Sequence, residues 1–91
     1  MNIPTDKISC IYEITNVLND KSYIGSAVNI RNRALRHVST LVKNSHHNIK
    51  LQNAWNKYGA ENFKIEIVET VNDTDNLLER EQFYLDYIKP I

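Results

Sequence analysis

Five residues have types and spacings that suggest chemistry: Tyr12, Tyr23, Arg33, His37 and Glu81. Glu81 stands inside the apolar face of the C-terminal segment, four residues from Leu77 and Leu85 and three from Leu78 and Tyr84. A carboxylate on a buried face is costly unless a cation, a metal or a hydrogen-bond network compensates it. Two readings stay open for it, a structural carboxylate paired with a cation such as Arg33 or a ligand to a metal. Arg33 and His37 are four residues apart, so on a helix they are neighbours on one face. That pair is either an ordinary solvent-facing Arg–His pair or a grip for a phosphate. Tyr12 and Tyr23 fall on neighbouring strands, where a tyrosine is either core filler or a phenol available for proton transfer. Together the five form an inventory for phosphodiester hydrolysis. Glu81 would hold a hard cation such as Mg²⁺ through oxygen at about 2.1 Å. The cation and Arg33 would neutralise charge on the phosphoryl oxygens and the leaving group. A tyrosine assisted by His37 would relay a proton from the attacking water.

The elements that must position these groups follow from local patterning. Ile8 to Thr15 alternates, with Ile8, Cys10, Tyr12 and Ile14 on one side, which describes a strand. Asn19 and Asp20 supply turn chemistry, and Ser22 to Gly25 returns as a second strand of an antiparallel hairpin. Asn29 caps a helix over 30–43 with the apolar stripe Ile30, Ala34, Val38 and Leu41. Asn48 caps a further helix carrying Leu51, Trp55 and Tyr58, with Gly59 as a left-handed terminus. Phe63, Ile65 and Ile67 alternate as a third strand. Asp73 or Thr74 opens a last helix that runs to Tyr87 or Ile88 and is stopped by Pro90. The expected fold is α+β: a three-stranded antiparallel β-sheet flanked by helices, in the order β-β-α-α-β-α.

Length and composition exclude several classes. Ninety-one residues make one domain, 1–91, with residues 1–7 as an N-terminal arm. A hydrophobic share of 42% argues against disorder. One cysteine, Cys10, allows neither an internal disulfide nor a thiolate metal cage, which points to an intracellular setting. No apolar run approaches the roughly 20 residues of a membrane span. The net charge of zero conceals a gradient. Residues 1–58 hold eight Lys and Arg against three acids, and residues 59–91 hold three against eight. On charge alone the gradient reads as ordinary scatter on helix surfaces; a nucleic-acid partner would be drawn to the first part, where Lys21, Arg36, Lys43, Lys50 and Lys57 are candidates for backbone contacts.

The ordered set resembles the GIY-YIG nuclease family. Cys10-Ile11-Tyr12 is similar to its first signature and Tyr23-Ile24-Gly25, followed by Ser26-Ala27, to its second. Arg33, His37 and then Glu81 within Glu79-Arg80-Glu81-Gln82 complete the order over 8–88. His46, Ile49-Lys50-Leu51-Gln52, Asn56-Lys57-Tyr58-Gly59 and Phe63 narrow the likeness to phage intron-encoded homing endonucleases, away from the nuclease half of excision-repair proteins. The resemblance implies a Mg²⁺-dependent DNA endonuclease, with Mn²⁺ as a substitute, leaving 5′-phosphate and 3′-hydroxyl ends. It places Tyr12, Tyr23, Arg33, His37 and Glu81 on catalytic positions, Glu81 on the metal and His46 on an auxiliary histidine. His47 reads as a surface residue. Cys10 stands where the family has glycine, and the family's asparagine after the last helix is missing. The chain ends before any linker or DNA-recognition domain, so it is expected to be a catalytic fragment or a minimal domain, acting as a monomer or weak dimer. Two other functions stay open: a DNA-binding module that kept the fold without useful catalysis, and a protein-interaction domain with no nucleic-acid role.

Overall fold

A computed structural model describes residues 1–88. The sheet has the order β2-β1-β3, with β1 (Cys10–Asn16) between β2 (Ser22–Ala27) and β3 (Phe63–Thr70), both pairings antiparallel. The helices are α1 (Ile30–Val42), α2 (Ile49–Tyr58) and α3 (Leu77–Ile88). The α+β order β-β-α-α-β-α is therefore as expected, with short 3₁₀ turns at Ala60–Asn62 and Thr74–Asn76.

Being central, β1 is buried on both faces, whereas the sequence pattern marked only one. Cys10, Tyr12 and Ile14 pack into a core with Ile30 and Leu41 of α1 and Leu51 and Trp55 of α2. Ile11 faces the other way, into a second cluster with Ile24, Val71 and Leu77, where Tyr84, Leu85 and Ile88 of α3 also pack. Helices thus cover both sides of the sheet. A register shift between Ile11 and Tyr12 in the pairing with β3 marks a bulge beside the site.

The local signals act as their chemistry requires. In the hairpin turn Asp20 takes φ 59° and the Asn19 side chain accepts from the Lys21 amide at 3.0 Å. Asn29 Oδ1 accepts from the Asn32 amide at 3.1 Å, and Asn48 Oδ1 from the Leu51 amide at 3.0 Å, so both helices start where a capping side chain satisfies a free N–H. Asp73 does the same for the Asp75 amide before α3. The arm 1–7 is tied to α1, with the Arg31 amide donating to the Asp6 carbonyl and Arg31 Nη1 to that of Pro4.

Three expectations are corrected. Gly59 ends α2 at φ 90° and ψ 150°, a positive-φ extended conformation in place of a left-handed helical cap, because the chain turns at once into the 3₁₀ segment. Val38 is only half-buried, and the buried row of α1 reads Ile30, Ala34, His37, Leu41. Leu78 is 75% exposed, since one residue beyond the buried Leu77 the helix has turned by about 100°. The stop at Pro90 lies outside the described residues.

Candidate active site

The hairpin sets the first part of the site. Tyr12 on β1 is paired with Gly25 on β2, and Ile14 with Tyr23, so both phenols rise on the same side of the sheet. Their ring centroids are 6.4 Å apart. Tyr12 is 0% exposed, and Tyr23 is half-buried. Gly25 is what lets the Tyr12 ring lie across β2. A Cβ at Gly25 would stand 2.5 Å from Tyr12 Cζ and closer still to Oη.

Helix α1 supplies the second part. Although Arg33 and His37 are one turn apart, they differ sharply in environment: Arg33 is exposed, whereas His37 is 3% exposed. His37 Nε2 meets Tyr12 Oη at 2.5 Å, and its Nδ1 meets His46 Nε2 at 2.7 Å. His46, just before α2, accepts the Asn48 amide at Nδ1 at 3.0 Å. Its own amide donates to Gln52 Oε1 at 3.0 Å. Gln52 is 3% exposed and spends its amide hydrogens on the Leu41 carbonyl and Asn56 Oδ1, both at 3.0 Å. A buried polar network of this kind holds its shape because every member has a partner.

The electrostatics bring in α3. Burial pushes the Tyr12 phenol well above its ordinary range; Tyr23 adds to the effect, the Arg33 guanidinium opposes it and the Glu81 carboxylate raises it further. Tyr23 is raised by burial and then by Glu81, again with Arg33 opposing. Glu81 and Arg33 therefore both act on the two phenols. The two ion pairs among the described residues, Lys64–Glu66 and Arg80–Glu69, leave Arg33 and Glu81 outside. The structural reading of Glu81 as an ion-pair partner of Arg33 thus has no support. Burial, followed by the charges of His46, Arg33 and His47, lowers His37 to about 4, so it is neutral at pH 7. His46 is lowered by burial and by His47.

Beside these groups lies a recess of about 140 Å³ lined by Arg33, Arg36, His37, Thr40, His46 and His47. Arg33 and Arg36 also border a second recess of about 190 Å³ with Val28, Asn29 and Asn32. Among the remaining basic candidates, Lys21, Lys50 and Lys57 line one groove of about 400 Å³ with Asn19, Asn53 and Tyr58. Lys43 is exposed at the end of α1 and lines none of these recesses.

Three participants have roles that the sequence pattern did not assign. His47 is exposed, as expected, yet its ring stacks on His46 at 4.4 Å and its Nε2 lies 3.5 Å from Tyr23 Oη. Gln52 and Gly25 act through packing and hydrogen bonds that no periodicity reports. A glutamine on the buried side of an amphipathic helix was the available signal for Gln52.

The sequence pattern of the GIY-YIG catalytic domain matches residues 8–90. The chain belongs to the GIY-YIG family. Intron-associated endonuclease 1 of Enterobacteria phage T4 is 42% identical over 78 residues, which is 85% of this chain and 31% of that protein. The chain thus spans under a third of the length of that relative. The catalytic domain of the homing endonuclease I-TevI superposes with a TM-score of 0.84 at 39% identity, over 89% of this chain and 88% of that one. An alanine mutant of the I-TevI catalytic domain gives a TM-score of 0.83 at 39% identity, over 89% and 84% of the two chains. GIY-YIG membership agrees with the three-stranded sheet and its flanking helices.

Proposed function

We propose that this domain is the catalytic unit of a divalent-metal-dependent DNA endonuclease that leaves 5′-phosphate and 3′-hydroxyl ends. The observation that carries the reading is the Tyr12–Tyr23 ring pair joined to the buried His37–His46 chain beside the recess that Arg33 lines, with the charges of Arg33 and Glu81 both felt at the two phenols. The donor set fits Mg²⁺. Among the described residues no group of three or more His, Cys, Asp or Glu is arranged around a metal. A cation that keeps most of its own waters needs only one or two carboxylates, and Glu81, half-buried and outside both ion pairs, supplies one. When bound, the metal supplies charge neutralisation at the phosphoryl group and the departing oxygen.

The remaining roles belong to the chain. Arg33, exposed beside the recess, offers a fork of N–H donors to the phosphoryl oxygens as negative charge builds in the transition state. Tyr12 and Tyr23 hold the attacking water; as its oxygen bonds to phosphorus and the P–O3′ bond breaks, a phenol takes the water's proton while passing its own hydroxyl hydrogen to solvent, and the departing O3′ takes a proton from solvent. His37 holds the Tyr12 hydroxyl, and His46 is auxiliary, holding His37. Arg36, Lys43 and the Lys21–Lys50–Lys57 groove serve the flanking backbone, which is contacted without regard to sequence. Residues 1–91 act as one domain on DNA, as a monomer or weak dimer, and base recognition belongs to a separate domain. No described helix is long and apolar enough to cross a membrane. A DNA substrate together with a lone buried cysteine, its thiol pushed up to about 11 by burial, supports an intracellular setting.

Supercoiled plasmid nicking tests the reading. Mg²⁺ is expected to support nicking, Mn²⁺ to substitute and chelator to stop it. A gel shift with plasmid DNA, alongside no cleavage in either metal, would favour a DNA-binding module; no binding even at low salt would favour a protein-interaction domain.

A further inference from the structure

We infer that the hydrogen bonds joining Asn48, His46, His37 and Tyr12 run in one direction only, and that the Asn48 amide and Gln52 are positioning groups that fix His37 as a donor to Tyr12 Oη. The donor and acceptor capacity of each group fixes that direction. A backbone N–H donates and never accepts, so the Asn48 amide at 3.0 Å requires an unprotonated Nδ1 on His46. A neutral His46 then carries its single hydrogen on Nε2. That hydrogen points at His37 Nδ1, 2.7 Å away, which must accept. His37 in turn carries its hydrogen on Nε2, 2.5 Å from Tyr12 Oη, and donates it there.

The reverse direction fails on proton count. Were Tyr12 to donate to His37 Nε2, His37 would donate from Nδ1 to His46 Nε2. His46 would then accept at both nitrogens and hold no hydrogen at all. A doubly protonated His37 fails in the same way, because it too presents a hydrogen from Nδ1 toward His46. The low pKa of His37, about 4, agrees with a neutral ring. Gln52 secures the start of the relay by binding the His46 backbone, and is itself held at both amide hydrogens.

The consequence for chemistry, which rests on the nuclease reading, is that His37 never takes the Tyr12 proton. The hydroxyl hydrogen of Tyr12 points away from His37, and His37 Nε2–H supports negative charge on Oη. His46 and His37 are thus set by α2, whose first free N–H groups begin at Asn48.

The test is a long-range ¹H–¹⁵N correlation on the full chain with ¹⁵N-labelled histidine at neutral pH. His37 and His46 are both expected as pure Nε2–H tautomers. A hydrogen on Nδ1 of either ring, or shifts averaged between tautomers, would overturn the inference. Two variants then separate the Asn48 amide from its side chain. Asn48→Ala removes the helix cap and keeps the N–H, so both tautomers are expected to persist. Asn48→Pro removes both, and averaged His46 shifts are expected, with nicking at least tenfold slower than in Asn48→Ala. Identical tautomers in the two variants would refute the role of the amide. The wild-type spectrum decides the direction whether or not the proline variant folds. Because it needs neither metal nor DNA, an expected spectrum without nicking would sink the nuclease reading and leave the relay standing.

Discussion

Replacing Gly25 by alanine perturbs the site through a single methyl group. The added Cβ would stand 2.5 Å from Tyr12 Cζ and 3.0 Å from Cε1. Carbon atoms rest at about 3.5–4.0 Å, so the ring or the strand has to give by about 1 Å. The ring has no free space to use, being 0% exposed and wedged into the core with Ile14, Ile30 and Leu41. Overpacking of this kind costs about 1–3 kcal/mol. For a domain of this size that lowers Tm by about 5–20 °C. The functional cost is larger than the stability cost. A shift of about 1 Å removes Tyr12 Oη from its 2.5 Å contact with His37 Nε2, and misplacement on that scale lowers rates by about 10²-fold. Thermal denaturation and Mg²⁺-dependent plasmid nicking measure the two effects separately. Because the Cβ meets the hydroxyl end of the ring most closely, Gly25→Ala with Tyr12→Phe should regain part of the lost stability and none of the nicking. A Gly25→Ala variant with wild-type Tm and wild-type nicking would show that the Tyr12 ring is not held by the absence of a Cβ at position 25.

Arg33→Ala should slow nicking by about 10²–10³-fold with little change in Tm, because the side chain is exposed and borders the recess beside the tyrosines; equal rates would remove it from the site. Acid stability should follow His37, whose pKa is about 4 when folded against 6.5 as its ordinary value. Below pH 6.5 the unfolded chain binds a proton that the folded chain refuses, so this contribution is full above neutral pH and falls away toward pH 4, by roughly 2–3 kcal/mol. Denaturant titrations at pH 7.5 and 4.5 should show that loss in the wild type and a smaller one in His37→Gln, and equal losses would contradict it. Replacing Lys21, Lys50 and Lys57 together by alanine should flatten the salt dependence of DNA binding by up to about 2.7 in the log–log slope, and an unchanged slope would clear their groove of phosphate contacts.

How much was legible in the sequence depends on which residues carried the signal. The caps Asn29 and Asn48 were readable because a side-chain acceptor before an apolar period has few other uses, and both cap in the structure; of Asp73 and Thr74, left open for the last helix, Asp73 caps the 3₁₀ turn before α3. Glu81 was readable as an anomaly, an acid among Leu77, Tyr84 and Leu85, and it acts on the tyrosines rather than pairing with Arg33. His37 was not readable as a buried group. Its position on α1 is one residue from Val38, and it is covered by Tyr12 of β1 and by His46 from the segment before α2. That segment brings His46 onto His37 across nine residues of sequence, a spacing that matches no helical or strand period. Leu78 shows the converse error: its hydrophobicity suggested a buried face, and the turn of α3 exposes it. The second face of β1 escaped notice because Ile11 fits the alternation only when both sides of the sheet are covered.

Glu81 on the last helix, whose charge reaches both phenols, is proposed as the chain's metal-holding carboxylate. Glu81→Gln keeps the size and polarity of the side chain and removes its charge, so supercoiled plasmid nicking in Mg²⁺ by that variant, beside the wild type, tests this role. Nicking by the wild type and loss of about 10²-fold or more in the variant is the expected result. Equal nicking by the two proteins would contradict it.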